Sequence, residues 1–266
     1  MKTPESARIV WVGNSEIPGS EGEMLCAAIT FGSKNKKTGN MATLWIFPYI
    51  LVTENLSILD FLQNGGDQIS CLGCIHSSKG QKTCYVWPSM GKGFSRMVIG
   101  LRNRYMSNRP YSLNRDELKA VLALFEIIRL GGYGDPGALP VEFLEFLKSC
   151  VNTALGYTHL WNRFSGETRN RLQKILMASV DSKMQGMMAV AQGWRYFRVG
   201  AKGELPDKSI EFACPASKEV KEKIGKVITC GDCKKCIGNE TPAKNILIQV
   251  HGTLAKRFVP ISVLRS

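Results

Sequence analysis

The chain has 266 residues, 44% of them hydrophobic and 21% charged, with a formal net charge of +13 and a pI near 9.4. That length is ample for a buried core, and the balance is that of an ordinary globular protein rather than a disordered or fibrous one. No apolar run reaches the roughly 18–20 residues that span a bilayer; Met41 to Val52 is the longest candidate and contains Pro48. The start, Met1-Lys-Thr-Pro-Glu-Ser, lacks the apolar stretch of a signal peptide. Cytoplasmic location without membrane contact is therefore expected, and there nine cysteines favour metal binding over a disulfide framework. The basic charge points to a polyanionic partner, most simply nucleic acid or a nucleotide. It is spread over Lys34, Lys36, Lys37, Arg102, Arg104, Arg109, Lys221, Lys223, Lys256 and Arg257, each group of which could equally be a solvated face.

Residues 1–60 read as a β-rich extension packed on a barrel-like domain. Ile9–Val12, Cys26–Phe31 and Ala42–Tyr49 have strand composition, the last ending at its proline, and Cys26 reads as core. The loop Gly32–Gly39 is basic but lacks the spacing and the Lys-Ser/Thr ending of a phosphate loop. It reads as a turn or a basic contact loop. Ser57–Leu62 predicts a short helix stopped by Gly65-Gly66.

Cys71-x2-Cys74-Ile-His76, followed by a basic loop and Cys84-Tyr85, is the first metal-ligand group. Three thiolates and an imidazole would satisfy tetrahedral zinc; three thiolates alone would hold a four-iron cluster with one iron open to a ligand. From Gly91 the pattern is helical, up to Pro110. Asn114 with Glu117 three residues later signals the start of another helix, carrying Leu118, Val121, Leu122, Leu124 and Phe125 as its apolar stripe.

The rest alternates. Strands are predicted at Ile127–Leu130, Ala154–His159, Leu176–Asp181, Trp194–Val199, Ile210–Cys214 and Asn245–His251. Helices are predicted at Pro140–Cys150, Glu167–Leu176 and Lys183–Ala191, the last with Met184, Met187 and Met188 expected in the core. Such alternation implies parallel strands with helical crossovers. Polar residues at the C-terminal strand ends favour a complete or partial (β/α) barrel over residues 61–266, because barrel active sites gather there. Those ends carry Cys71 and Cys74, Asp135, Tyr157 and His159, Asp181, Arg198, Cys214 and His251. At least three of Asp135, His159, Asp181, Arg198 and Cys214 are expected to line one pocket.

The second metal-ligand group is Cys230-x2-Cys233-x2-Cys236 in a polar loop, with Cys214 sixteen residues upstream. Two-residue spacing lets neighbouring thiolates converge on one ion or cluster, so residues 214–236 read as a four-thiolate loop for zinc or iron–sulfur.

Several of these motifs, in order, resemble a known family. They are the three-cysteine loop ending Cys84-Tyr85, Arg129-Leu-Gly-Gly-Tyr-Gly-Asp135-Pro136, Gly156-Tyr157-Thr158-His159, Met177-Ala-Ser-Val-Asp181, Cys214-Pro, the Cys230/Cys233/Cys236 run and a strand ending His251-Gly252. Together they resemble the phage and plasmid proteins typified by the "gene product 88" family, which in turn resembles radical S-adenosylmethionine (SAM) enzymes. The similarity runs from about residue 65 to 258. It implies a partial triosephosphate-isomerase-type barrel in a host-cell cytoplasm. It implies a SAM-cleaving four-iron cluster on Cys71, Cys74 and Cys84. Gly131 and Gly132, with Tyr157 and Arg198, would stand at the cofactor, and Asp135, His159 and Asp181 would position substrate. Cys214, Cys230, Cys233 and Cys236 would form an auxiliary cluster or a zinc site. The cysteine spacings here, two and nine, differ from the three and two usual in radical SAM enzymes.

Three functions are open on these grounds. The first is a radical-SAM-like enzyme acting on nucleic acid or a nucleotide. The second is a zinc-containing base-exchange (transglycosylase-like) DNA-modifying enzyme with Asp135 or Asp181 as nucleophile and His251 joining Cys230, Cys233 and Cys236 on zinc. The third is a zinc-containing DNA- or RNA-binding, replication or anti-defence protein without redox chemistry.

Overall fold

A computed structural model describes residues 3–17, 22–32, 40–84, 92–240, 242–251 and 255–260. Most of the Gly32–Gly39 loop, with its three lysines, and Tyr85, Gly91 and Gly252 lie outside the described residues.

One nine-stranded sheet organises the chain. Strands β1 (Arg8–Asn14), β2 (Met24–Thr30) and β3 (Ala42–Pro48) form an antiparallel meander. From β3 onward every pairing is parallel, through β4 (Ile127–Tyr133), β5 (Thr153–Thr158), β6 (Met177–Val180), β7 (Tyr196–Gly200), β9 (Asn245–Gln249) and β8 (Glu211–Ala213). The order across the sheet is β1-β2-β3-β4-β5-β6-β7-β9-β8. The fold is thus mixed α/β with a mostly parallel, open sheet whose edges are β1 and β8. Residues 1–60 contribute strands to this same sheet.

The alternation of side chains sorts the core. Leu25, Ala27 and Ile29 of β2 face one side with α5 (Arg115–Leu122), α6 (Val141–Ser149), α7 (Gly166–Gln173) and α8 (Lys183–Ala191). Cys26 and Ala28 face the other, against the short turns α1 (Ile50–Thr53) and α2 (Ile58–Phe61) and against α4 (Lys92–Met106). A run buried on both faces needs no polar alternation, which is why Leu-Cys-Ala-Ala-Ile reads as continuous apolar sequence. Asn114 caps α5 with the expected reciprocal bonds: Glu117 N donates to Asn114 Oδ1 and Asn114 N to Glu117 Oε2, both at 2.9 Å.

Several expectations need correction. Strand β4 runs on through Gly131 and Gly132 to Tyr133. Gly132 is there because a Cβ would stand 2.6 Å from Thr43 Cγ2 on β3, and Gly134 (φ +78°) because one would stand 2.1 Å from Ile46 O. Gly131 turns left-handed (φ +79°), and a Cβ there would stand 3.0 Å from Gly134 O. Cys71 closes a helical turn, α3 (Gln68–Cys71), rather than a strand. Met184, Met187 and Met188 are solvent-exposed, as is Leu124; α8 buries its narrow side, Gly186 and Ala189, instead. Among the described residues no helix is long and apolar enough to cross a membrane.

Candidate functional site

The loops after β3, β4, β5 and β6 meet at the C-terminal edge of the parallel strands. The first carries Cys71, Cys74 and Cys84. A chain of turns closes it: Cys74 N donates to Cys71 O (3.1 Å), Ser77 N to Cys74 O (3.1 Å), and Cys84 N back to His76 O (3.1 Å). Gly73 (φ +80°) and Lys82 (φ +55°) supply left-handed corners, and Gly80 passes so close to Ile75 O that a Cβ would lie 2.1 Å away. This folding-back is how a nine-residue spacing returns the third thiol to the first two. Asp67, buried beneath the loop, accepts from Ser78 N (2.8 Å) and from the Ser78 hydroxyl. Burial, then the neighbouring Cys74, Cys84 and Asp67, push the Cys71 thiol well above its ordinary pKa. Crowded, desolvated thiols resist ionisation until a cation offsets their charge.

Tyr133, the last residue of β4, stands against this group. Its hydroxyl is buried without a hydrogen-bond partner. Burial, then the charges of Cys71, Asp67, Cys84 and Cys74, keep it protonated to well above the usual phenol value. It is thus a buried donor beside three sulfurs.

Asp135, His159 and Asp181 follow β4, β5 and β6. Both carboxylate oxygens of Asp135 are taken by backbone: Gly137 N donates to Oδ1 (2.8 Å) and His159 N to Oδ2 (2.7 Å). Burial raises its pKa; His159, Thr158 and these two amides offset the rise only in part. Asp135 therefore pins the loop after β4 to the loop after β5. The ring of His159 meets Asp181 (Nε2 to Oδ2, 3.6 Å), Ser179 Oγ (Nε2, 3.2 Å) and the Cys74 thiol. Burial pulls the imidazolium down, but Cys74 and Asp181 outweigh it and hold His159 well above its ordinary value. Asp181 is held low: burial opposes the charge, and His159 and His76 overcome it. His76 completes the group, with Nε2 3.4 Å from Asp181 Oδ1, Nδ1 2.6 Å from Thr83 Oγ1, and its ring stacked on Phe258. Three of the five residues expected in one pocket, Asp135, His159 and Asp181, thus come together, with Cys74 and His76 beside them.

Cys214, Cys230, Cys233 and Cys236 line a different cavity, on the face of the sheet opposite α6, with Arg129, Leu155 and Tyr157. After the exposed helix α9 (Lys218–Ile224), Cys230–Cys233 forms a single helical turn, α10. Thr229 caps it: its Oγ1 accepts from Asp232 N (3.1 Å) while Asp232 Oδ2 accepts from Thr229 N (3.0 Å). Lys234 then turns left-handed (φ +50°) and brings Cys236 back. Cys236 O accepts from Gly156 N of β5 (3.1 Å). Arg195, itself buried, donates to the carbonyls of Lys235, Ile237, Gly238, Ala243 and Lys244 and so holds the loop down. Burial, and next to it Cys214, Cys230 and Cys233, push Cys236 far up, with Arg129 opposing. None of the nine cysteines is in a disulfide.

Three expected site residues lie elsewhere. Arg198 is inside β7, 2% exposed at the side chain, with its guanidinium bonded to Glu211 (2.7 and 2.9 Å) and Glu204 (2.6 Å). Its donors are committed to an internal ion pair, so it is not placed to hold a cofactor. His251 is exposed beyond β9, its Nδ1 3.2 Å from Gln249 O. Tyr157 is at the second cysteine cavity and stacks on Phe197 at 4.5 Å. Arg102, counted among the basic clusters, is buried and donates to Leu51 O (2.9 and 3.0 Å). The sequence alone did not single out roles for Tyr133, Asp67, Arg129 and Arg195; Arg129 and Tyr133 had a signal, their place inside the Arg-Leu-Gly-Gly-Tyr-Gly-Asp run.

No protein-family model, curated protein or solved structure matches the chain.

Proposed function

We propose that the chain is an iron–sulfur enzyme of the radical SAM type, of phage or plasmid origin, acting on nucleic acid or a nucleotide. The observation that carries this is the convergence of Cys71, Cys74 and Cys84 beside Asp135, His159 and Asp181, at the C-terminal edge of the parallel strands. Three thiolates with no fourth cysteine leave one iron of a cubane open. One further feature suits a cluster: the Tyr133 hydroxyl has no acceptor in the protein and lies near enough to Cys71, Cys84 and Cys74 to feel their charge.

Cys71, Cys74 and Cys84 would hold the cluster, which supplies the electron for reductive cleavage of SAM. Cys214, Cys230, Cys233 and Cys236 would hold a second one, in the cavity they line on the face of the sheet opposite α6. The chain's own groups have separate tasks. Asp135 positions the His159 backbone. His159 and Asp181 present a ring nitrogen and a carboxylate at fixed places, so they orient a polar substrate. Tyr133 and Asp67 fix the thiol loop. The net charge of +13 would draw in a polyanionic substrate, although Arg102, Arg195 and Arg198 are spent internally.

The test is metal content and absorption after strictly anaerobic purification, followed by assay for 5′-deoxyadenosine with SAM and a reductant. Roughly four to eight irons per chain with a broad band near 400 nm is the expected result. A colourless protein with one or two zincs refutes it and turns attention to salt-dependent nucleic-acid binding.

A further inference from the structure

The geometry points to a mononuclear divalent-metal site made by His76, His159 and Asp181, beside the first thiol group but using none of its sulfurs. Among the described residues these are the one set of three potential ligands whose atoms lie within 4.8 Å of one another. The two nitrogen–oxygen separations, 3.4 and 3.6 Å, exceed a good hydrogen bond of roughly 2.7–3.2 Å. They approach the ligand–ligand edge of a tetrahedral site, roughly 3.3 Å for bonds of about 2.0–2.1 Å.

A second, independent observation is the carboxylate itself. The Asp181 side chain is 3% exposed, and its Oδ1 accepts no hydrogen bond. His76 Nε2 faces it at 3.4 Å, too far for a good hydrogen bond, so a bound cation would complete the pairing of this buried oxygen. A third is the support behind His76. Its Nδ1 meets Thr83 Oγ1 at 2.6 Å, which turns Nε2 toward Asp181. Tying the far ring nitrogen in this way is how ligating histidines are held.

Two imidazoles and one carboxylate suit zinc, iron(II) or cobalt(II), whereas magnesium and calcium favour oxygen shells. Three protein ligands leave a coordination position open, so the ion would hold an anionic group of whatever enters the pocket. Phe258 stacks over His76, and Gln81 clasps Val259 by two bonds (2.6 and 2.9 Å), which roofs the site on that side. The inference does not depend on a cluster at Cys71, Cys74 and Cys84.

The experiment is anaerobic cobalt(II) titration of the full chain after metal removal, compared with Asp181→Asn and Thr83→Val, with folding checked by circular dichroism. Wild type should bind one more cobalt than Asp181→Asn, and that ion should lack the sulfur-to-cobalt charge-transfer band of the thiol sites. Thr83→Val should weaken it 10–100-fold. Equal stoichiometry in wild type and Asp181→Asn, or sulfur charge transfer from every bound cobalt, overturns the inference. Should Asp181→Asn not fold, Thr83→Val decides: unchanged affinity overturns it. Iron content and 5′-deoxyadenosine are read on the same preparation. A failed cluster with an intact nitrogen-bound cobalt, and the reverse, are therefore told apart.

Discussion

Replacing Arg198 by Met should cost stability rather than ligand binding. The guanidinium makes three short contacts, two to Glu211 and one to Glu204, with Arg198 and Glu211 each 2% exposed at the side chain. Removing one partner of a buried pair leaves an uncompensated charge and costs roughly 3–5 kcal/mol. Glu211 keeps two donors, the Tyr196 hydroxyl (2.9 Å) and Asp207 N (3.1 Å), and Glu204, 25% exposed, can rehydrate. The lower end, about 3 kcal/mol, is therefore expected at pH 7. Adding Glu211→Gln should recover much of it, since the double variant buries no charge. The pH dependence carries a sign. Burial works against the Glu211 carboxylate, but Arg198, Asp207 N and Tyr196 outweigh it and hold its pKa below the ordinary value. A depressed carboxylate contributes stability above its unfolded pKa, about 4.3, that is lost as pH falls through the folded value. Without Arg198 burial dominates and the shift reverses, so the variant's deficit should shrink between about pH 7 and 4.5. Urea unfolding followed by circular dichroism at both pH values measures this. A loss under about 1 kcal/mol at pH 7, or a deficit that widens on acidification, refutes the reasoning.

Asp135→Asn can accept from only one of the two amides now bonded, so about 1–3 kcal/mol should be lost and the His159 amide should exchange faster by hydrogen-exchange mass spectrometry. Tyr133→Phe removes a buried hydroxyl that has no acceptor in the protein; thermal unfolding of the cluster-free chain should improve by about 1 kcal/mol, and reconstitution with iron and sulfide should abolish that gain. Arg195→Leu frees five carbonyls of the 235–244 loop. Limited proteolysis should then cut within that loop, and metal held by Cys214, Cys230, Cys233 and Cys236 should bind 10–100-fold more weakly.

Much of this architecture is local, and local patterns are legible in a sequence. Helix α8 occupies the very residues its pattern predicts, Lys183–Ala191, and the Asn114 cap and the strands from Ile127 to Gln249 follow from capping chemistry and apolar runs that need only near neighbours. The grouping of Asp135, His159 and Asp181 was legible for a topological reason: parallel strands in order present their C-terminal ends together. The methionines of α8 misled because helical spacing says which residues share a face, not which face the sheet covers; Gly186 and Ala189 allow closer approach and take the buried side.

The sequence by itself thus determined most of the elements, the parallel pairing of the second half and the two cysteine groups, because turns, caps and periodicity act over a few residues. Tertiary structure alone decided the partners. It gave Arg198, expected at a cofactor, to Glu211; Arg102, expected in a basic cluster, to Leu51 O; and Arg195 to the cysteine loop. It also brought His76 across from the thiol loop to Asp181, 105 positions away by number, and left Tyr133 without an acceptor beside three sulfurs. Such pairings depend on which side chains share a desolvated volume, where each charge or donor must find a counterpart. That volume exists only once the sheet has assembled.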